Sequence, residues 1–203
     1  MSVEVRTVPA DLPEVDVLLD AYLDEREATF PSAQGTYSRK RTPAAEFTPP
    51  NGVFAVAYDD DVAVGCGGLR RIPDGVDATG AVDVRFEVKH VFVAPAGRGT
   101  GVATAVMDLL ERAAADLGAT SIVLDTNDSL VAAGAMYRGR GYQRVEPFNG
   151  NPNATAWYRK PIARAATGLP AAPPRNRRAA ARRAGRRADP CAAPPAGGPG
   201  RSA

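Results

Sequence analysis

The residues best placed to do chemistry run from Val91 to Thr104, as Val-Phe-Val-Ala-Pro-Ala-Gly-Arg-Gly-Thr-Gly-Val-Ala-Thr. An apolar, β-branched run enters a glycine-rich turn and leaves it as a segment with helical periodicity, so a strand meets a helix through a tight loop. Glycines let the loop curl without Cβ clashes, its free N–H groups point inward, and the helix N-terminus adds the positive end of its dipole. Arg98 adds a full charge. The pattern predicts an anion cradle suited to a diphosphate. Two other phosphate-binding turns fit poorly. A dinucleotide-binding Gly-x-Gly-x-x-Gly would need a small third residue at Val102 or Thr104, although Asp125 ends the next strand at a suitable distance. A nucleotide triphosphate loop would need Gly-Lys-Ser/Thr, which the chain lacks. An ordinary strand-to-helix turn remains the plain alternative.

The flanking pattern says what positions this turn. Val3–Val8 reads as an opening strand. Leu12, Val15, Leu18, Leu19, Tyr22 and Leu23 then repeat at helical spacing, with Pro13 in a first turn that tolerates it. Residues 24–50 are polar and irregular, with a short helix over Ala44–Phe47. Val53–Tyr58 and Val62–Arg70 form a hairpin around Asp59–Asp61, and a loop over Pro73–Gly80 follows. Ala81–Val93 alternates with period two, which puts Val82, Val84, Phe86, Val88, His90 and Phe92 on one face. In that strand His90 reads as an ordinary, satisfied residue, and Cys66, within Gly65-Cys66-Gly67-Gly68, as a small buried one. The helix over Gly101–Gly118 has a stripe of Val102, Val106, Leu109, Ala113 and Leu117, with Gly118 as the residue beyond its end. A strand at Ile122–Asp125, a helix at Ser129–Arg138 that Asp128 could cap, and strands at Tyr142–Val145 and Thr155–Lys160 complete the pattern. This order predicts an α/β (α+β) fold with a largely antiparallel sheet.

With the turn and its flanks in view, the chain resembles the GNAT superfamily of acyltransferases. Arg98-Gly99-Thr100-Gly101-Val102-Ala103 matches its acyl-CoA motif, Gln/Arg-x-x-Gly-x-Gly/Ala, and Val93-Ala94-Pro95 precedes it. Ala135-Met136-Tyr137-Arg138-Gly139-Arg140-Gly141-Tyr142 is similar to the family's Leu-Tyr-x-x-x-Gly-Phe/Tyr signature. Glu87-Val88-Lys89-His90-Val91-Phe92-Val93 is similar to its Glu-Ile-Lys-Arg-Leu-Tyr-Val strand. The resemblance covers about residues 3–162. It implies a single domain built on a curved, mixed, six- to seven-stranded sheet whose fourth and fifth strands splay to admit pantetheine. It also implies transfer of an acetyl group from acetyl-CoA to an amine of a small-molecule or peptide acceptor.

By residue, Val91, Phe92 and Val93 would line the pantetheine arm, Val91 and Val93 through backbone groups. Amides along Arg98, Gly99, Thr100, Gly101, Val102, Ala103 and Thr104 would hold the pyrophosphate. Tyr137 stands where the family places the acid that protonates the departing thiolate, and Glu87 where many members place the base, direct or through water. The chemistry asks for both, because an amine is mostly protonated at neutral pH and a thiolate leaves more readily when it receives a proton. No catalytic cysteine is required. One departure concerns the position seven residues before the tyrosine, where many members carry Asn and this chain has Leu130. Asn127 lies one turn earlier as a candidate CoA contact. The irregular 24–50 region is expected over the acceptor pocket, with Glu25, Arg26, Phe30 and Tyr37 as candidates, and Trp157 and Phe148 read as core.

Composition bounds the remainder. One histidine and two cysteines, Cys66 and Cys191, cannot build a disulfide framework or a zinc site, so no metal is expected. No apolar run approaches the ~18 residues a membrane span needs, and the acidic opening has no apolar core, which points to the cytoplasm. The net charge of +2 conceals a segregation: residues 164–203 carry nine Arg against Asp189, whereas residues 1–163 sum to −6. Leu169 is the only large apolar residue of that last stretch, which also holds 13 Ala and seven Pro. It is expected to be a disordered basic tail after a domain spanning 1–163. The tail reads as a passive extension, a polyanion-binding segment or a partner-binding arm, so nucleic acid would be met only through it. A homodimer and a non-catalytic acyl-CoA sensor stay open.

Overall fold

In the computed structural model, which describes residues 3–162, the glycine-rich turn joins the fourth strand of a seven-stranded sheet to the helix packed on it. The basic stretch, with Cys191 and the expected boundary after 163, lies outside the described residues. Strand β1 (Val3–Val8) leads into helix α1 (Pro13–Ala28), and single 3-10 turns follow at Ser32–Gln34 and Ala44–Phe47. Strands β2 (Gly52–Asp59) and β3 (Val62–Arg71) form the expected hairpin, with Asp60 at φ 48°, a left-handed conformation that Asp tolerates. Then come β4 (Gly75–Val76), β5 (Val82–Asp83), β6 (Arg85–Val93), helix α2 (Val102–Asp116), β7 (Ser121–Thr126), helix α3 (Val131–Gly139), β8 (Gln143–Val145) and β9 (Ala156–Pro161). The sheet order is β1-β2-β3-β6-β7-β9-β8, antiparallel throughout except for the parallel pair β6–β7. The α/β class and the largely antiparallel sheet are as expected.

Three local expectations are revised. The single strand over 81–93 is two: the Val84 carbonyl accepts from the Thr120 and Ser121 amides, and β5 turns away to pair with β4. The period-two face fails at a β-bulge. Between the Cys66–Phe92 and Gly68–Lys89 pairs, β6 spends one residue more than β3, and His90 takes φ 56°. Phe86 and Val88 therefore join the larger core beneath α2, whereas Phe92 joins the cluster beneath α1. His90 turns to α1 as well, edge-on to Tyr22.

The stripe of α2 is rotated by one residue, with Val102, Val106, Met107, Leu110 and Ala114 fully buried and Leu109, Ala113 and Leu117 at its margin. The cause lies in the strand below. A Cβ on Gly65 would sit 2.6 Å from Val102 Cγ1, and one on Gly67 2.8 Å from Val106 Cγ1. Only glycine at both positions lets α2 lie this close to β3. At its far end α2 closes as expected. The Ala119 and Gly118 amides bond to the Ala114 and Ala115 carbonyls around a left-handed Gly118.

Candidate active site

Strands β6 and β7 pair only over Arg85–Glu87 against Ser121–Val123. Beyond that point the bulge at His90 bends β6 away, while β7 stays paired with β9 to its end. The strands part, and a cavity of about 390 Å3 occupies the opening. Val88 and Val91 of β6, then Leu130, Ala133 and Tyr137, and also Tyr22, Arg26 and Tyr37 line it. The Ala94 amide bonds to Val64 of β3, so by alternation Phe92 also faces β3 and Val91 and Val93 present their backbone groups to the open edge. The Phe92 side chain, by contrast, is buried under α1.

The turn after β6 has the properties of a cradle. Gly99 and Gly101 sit at φ 76° and 88° with nothing within 4 Å of where a Cβ would be, so backbone sign rather than space demands glycine. No side chain caps α2, and its first bond runs from the Ala105 amide to the Gly101 carbonyl. The Val102, Ala103 and Thr104 amides therefore have no helical acceptor. The Thr100 hydroxyl donates to Gly97 at 2.7 Å and tightens the loop. Arg98 donates to the Val93 carbonyl at 3.2 Å and pairs with Glu25 of α1, so an anion here would share it.

Tyr137 lines the cavity from α3, its ring packed on Tyr142 and Tyr158. Burial, and then the charge of Asp125, raise its phenol well above the ordinary tyrosine value, which keeps it a proton donor. Glu87 is differently placed. It is 1 % exposed, lies outside the cavity lining, and its carboxylate is held by Arg70 at 2.6 Å, Asn149 at 3.1 Å and Lys89 at 3.4 Å. Lys89 continues to Asp125 at 3.3 Å, which also accepts from Asn149 at 2.6 Å and Asn151 at 2.9 Å. The carboxylate that reaches the cavity is thus Asp125, with Glu87 behind it.

Asn127 also lines the cavity, but its amide donates to Gln34 at 2.7 Å and to the Asn153 carbonyl at 2.9 Å. Its oxygen accepts from the Ser129 amide, the position expected for Asp128. Asp128 caps nothing: α3 starts at Val131 without a side-chain cap, and Asp128 pairs with Arg144 and Thr155 where β8 and β9 pass beside it. His90 binds Thr42 through Nε2 at 3.1 Å, whereas its Nδ1 is buried without a partner, so it is not the fully satisfied strand residue expected. Burial, then the charges of Lys89, Arg70 and Arg41, push its imidazole down to about 4.

Of the candidates over the pocket, Arg26 and Tyr37 line the cavity, Phe30 packs edge-on to Tyr37, and Glu25 goes to Arg98. Trp157 belongs to neither core cluster and donates to Asn149 at 2.9 Å. Arg70, Asp125 and the Asn149/Asn151/Asn153 series were not singled out from the sequence as site residues. The signal for the last was its period of two, which brings three amides to one side of a loop.

The profile of the acetyltransferase (GNAT) family matches residues 17–142. An uncharacterised N-acetyltransferase of Schizosaccharomyces pombe is 29% identical over 161 residues, covering 78% of this chain and 92% of its own. An acetyltransferase of GNAT family from Staphylococcus aureus superposes with a TM-score of 0.60 at 18% identity, over 80% of this chain and all of that one. A chain of the NatC complex, solved with Gag peptide and CoA, superposes with a TM-score of 0.57 at 15% identity, over 80% of this chain and all of its own. These structural likenesses establish the fold.

Proposed function

The chain belongs to the acetyltransferase (GNAT) family, whose chemistry is acyl transfer from an acyl-CoA, and on that premise we propose that it moves an acetyl group from acetyl-CoA to an amine in a ternary complex. The observation that carries this reading is the continuity of one opening, from the unpaired edge of β6 to the Tyr137 phenol. The residues fit the co-substrate. The Val91 and Val93 edge suits a pantetheine arm, and the Val102–Thr104 amides with left-handed Gly99 and Gly101 suit a pyrophosphate.

Acetyl-CoA supplies an activated acyl group, so that a C–N bond to the amine forms as the C–S bond breaks. Two protons need managing. Tyr137, held neutral by burial, donates its hydroxyl proton to the thiolate sulfur. The ammonium gives one proton toward Asp125 before attack, and the second, lost as the C–N bond forms, restores the Tyr137 phenol through solvent, while Glu87 holds Lys89 and Asn149 and thereby positions Asp125. Burial pushes the Cys66 thiol up to about 12, so it serves as no nucleophile, consistent with direct transfer.

The test is turnover across an acceptor panel, read as free CoA, on wild type and Tyr137→Phe. The variant keeps the ring and loses the donor, and kcat should fall ~10²-fold with acetyl-CoA affinity little changed. Equal kcat would remove Tyr137 from the chemistry. Tight acetyl-CoA binding with no release on any amine would replace the enzyme by a sensor.

A further inference from the structure

Among the described residues, Arg26 is the one buried cation of those that line the cavity, and Lys40, which also holds no acid, is exposed. Arg26 sits in the last turn of α1, is 7 % exposed and lines the opening, yet among the described residues no carboxylate lies within 4 Å of its guanidinium. Its side chain donates to the Thr29 hydroxyl at 3.2 Å, a neutral partner. Arg41, Arg70 and Lys89, which line the same cavity, each hold at least one acid. A buried charge without a counter-charge is unfavourable, and the imbalance is relieved when a ligand brings the anion.

The surroundings define which end of a ligand belongs there. Tyr22 and Tyr37 flank Arg26, and burial raises both phenols, so they stay protonated donors. Lys40 adds a second cation to the lining. The lining also holds one carboxylate, Asp125, which accepts from Lys89, Asn149 and Asn151. A space of about 390 Å3 therefore offers both a buried cation without an acid partner and a carboxylate. A polyamine would meet repulsion from Arg26 and Lys40. A planar guanidinium is matched by a planar, bidentate carboxylate.

We propose that the acceptor is a small amine bearing a carboxylate, an amino acid or a close analogue, with its carboxylate on Arg26 and its ammonium toward Asp125. This rests on the acetyl-transfer reading and adds the acceptor class to it.

The experiment compares free amino acids with their C-terminal amides, matched in side chain, on the full chain. Wild type, Arg26→Gln and Arg26→Lys are assayed for kcat/KM, and binding of each compound is titrated in the presence of CoA. Wild type should prefer acids to amides by at least tenfold. Arg26→Gln should erase that preference with KM for acetyl-CoA changed less than twofold, and Arg26→Lys should retain part of it. If amides serve as well as acids in wild type, the acceptor class is wrong while the transferase reading stands. If Arg26→Gln raises KM for acetyl-CoA and leaves the acid preference, the guanidinium serves a CoA phosphate and the proposal falls. Acids that bind in an Arg26-dependent way without turnover would support the carboxylate site and overturn the transfer reading. Acids that neither react nor outbind amides overturn the proposal. Melting curves identify a misfolded variant, and Arg26→Lys then carries the comparison.

Discussion

At the scale of single residues, what the sequence made legible was backbone chemistry, and what it hid was the company each side chain keeps. The glycines at 99 and 101 could be read because their need for a left-handed backbone is local. The setting of Glu87 could not, because Arg70 and Asn149 reach it from 17 and 62 residues away. His90 shows the same division. Its alternation with apolar residues suggested a plain strand position, but its conformation comes from the pairing of β6 with β3. That position has a measurable consequence. An unfolded histidine titrates near ~6.5, whereas burial holds this one neutral down to about 4. As pH falls through that window the unfolded chain takes up a proton that the folded one refuses, so stability is present above it and is lost on acidification. The full effect is on the order of 3 kcal/mol by linkage. His90→Asn removes the titration and keeps a residue that tolerates positive φ. Melting temperatures at pH 7.5 and pH 5 should fall further apart for wild type than for the variant, and equal differences would mean the imidazole is not held neutral.

At the scale of elements, periodicity located the strands and helices that a local pattern determines. The β2–β3 hairpin, α1, and α2 with its glycine terminus all follow from turn residues and helical spacing. The phase of α2 and the break at Val84 did not, since both are imposed by neighbouring strands. The irregular stretch after α1 illustrates a third case, in which charge does the positioning. Arg39 reaches Asp20, Asp24 and Glu27, and Arg41 reaches Asp16 and Asp20, so two arginines strap residues 37–43 along one face of α1. Asn153 pins the same strap from the other side through both backbone groups of Ser38. Tyr37, Ser38 and Thr42 line the cavity, so the strap sets its width. Exposed pairs are individually weak and salt-sensitive, but several act together here. Arg41→Ala should raise the acceptor KM several-fold at low salt and leave KM for acetyl-CoA within twofold. The difference from wild type should shrink at about 0.5 M salt, where the pairs are screened in both proteins. A defect that is as large at high salt would assign Arg41 to direct acceptor contact instead.

At the scale of the whole chain, the candidate site and the excess of positive charge lie in different stretches. The described cavity, its cradle and its ion-pair network all fall between residues 3 and 162, within a sequence whose first 163 residues sum to −6. The last 40 residues carry +8 and one large apolar side chain, so their composition offers almost nothing to a core. A chain ending at Ala163 should then melt within a few degrees of the full chain and bind acetyl-CoA within twofold as tightly, measured by calorimetry. Removal should also reverse the sign of the net charge, so the shortened protein should bind an anion exchanger where the full chain does not. A polyanion distinguishes a passive extension from a binding segment. Nine arginines that engage phosphate or sulfate groups release counterions, so their affinity should fall steeply with salt. Heparin titrated into the full chain and the shortened one at 50 mM and 200 mM salt reads this directly. Binding at low salt that the shortened chain lacks would give the tail a polyanion-binding role, and equal, negligible binding would leave it without one. A loss of more than about ten degrees on truncation would mean that these residues complete the domain and that its boundary lies later than 163.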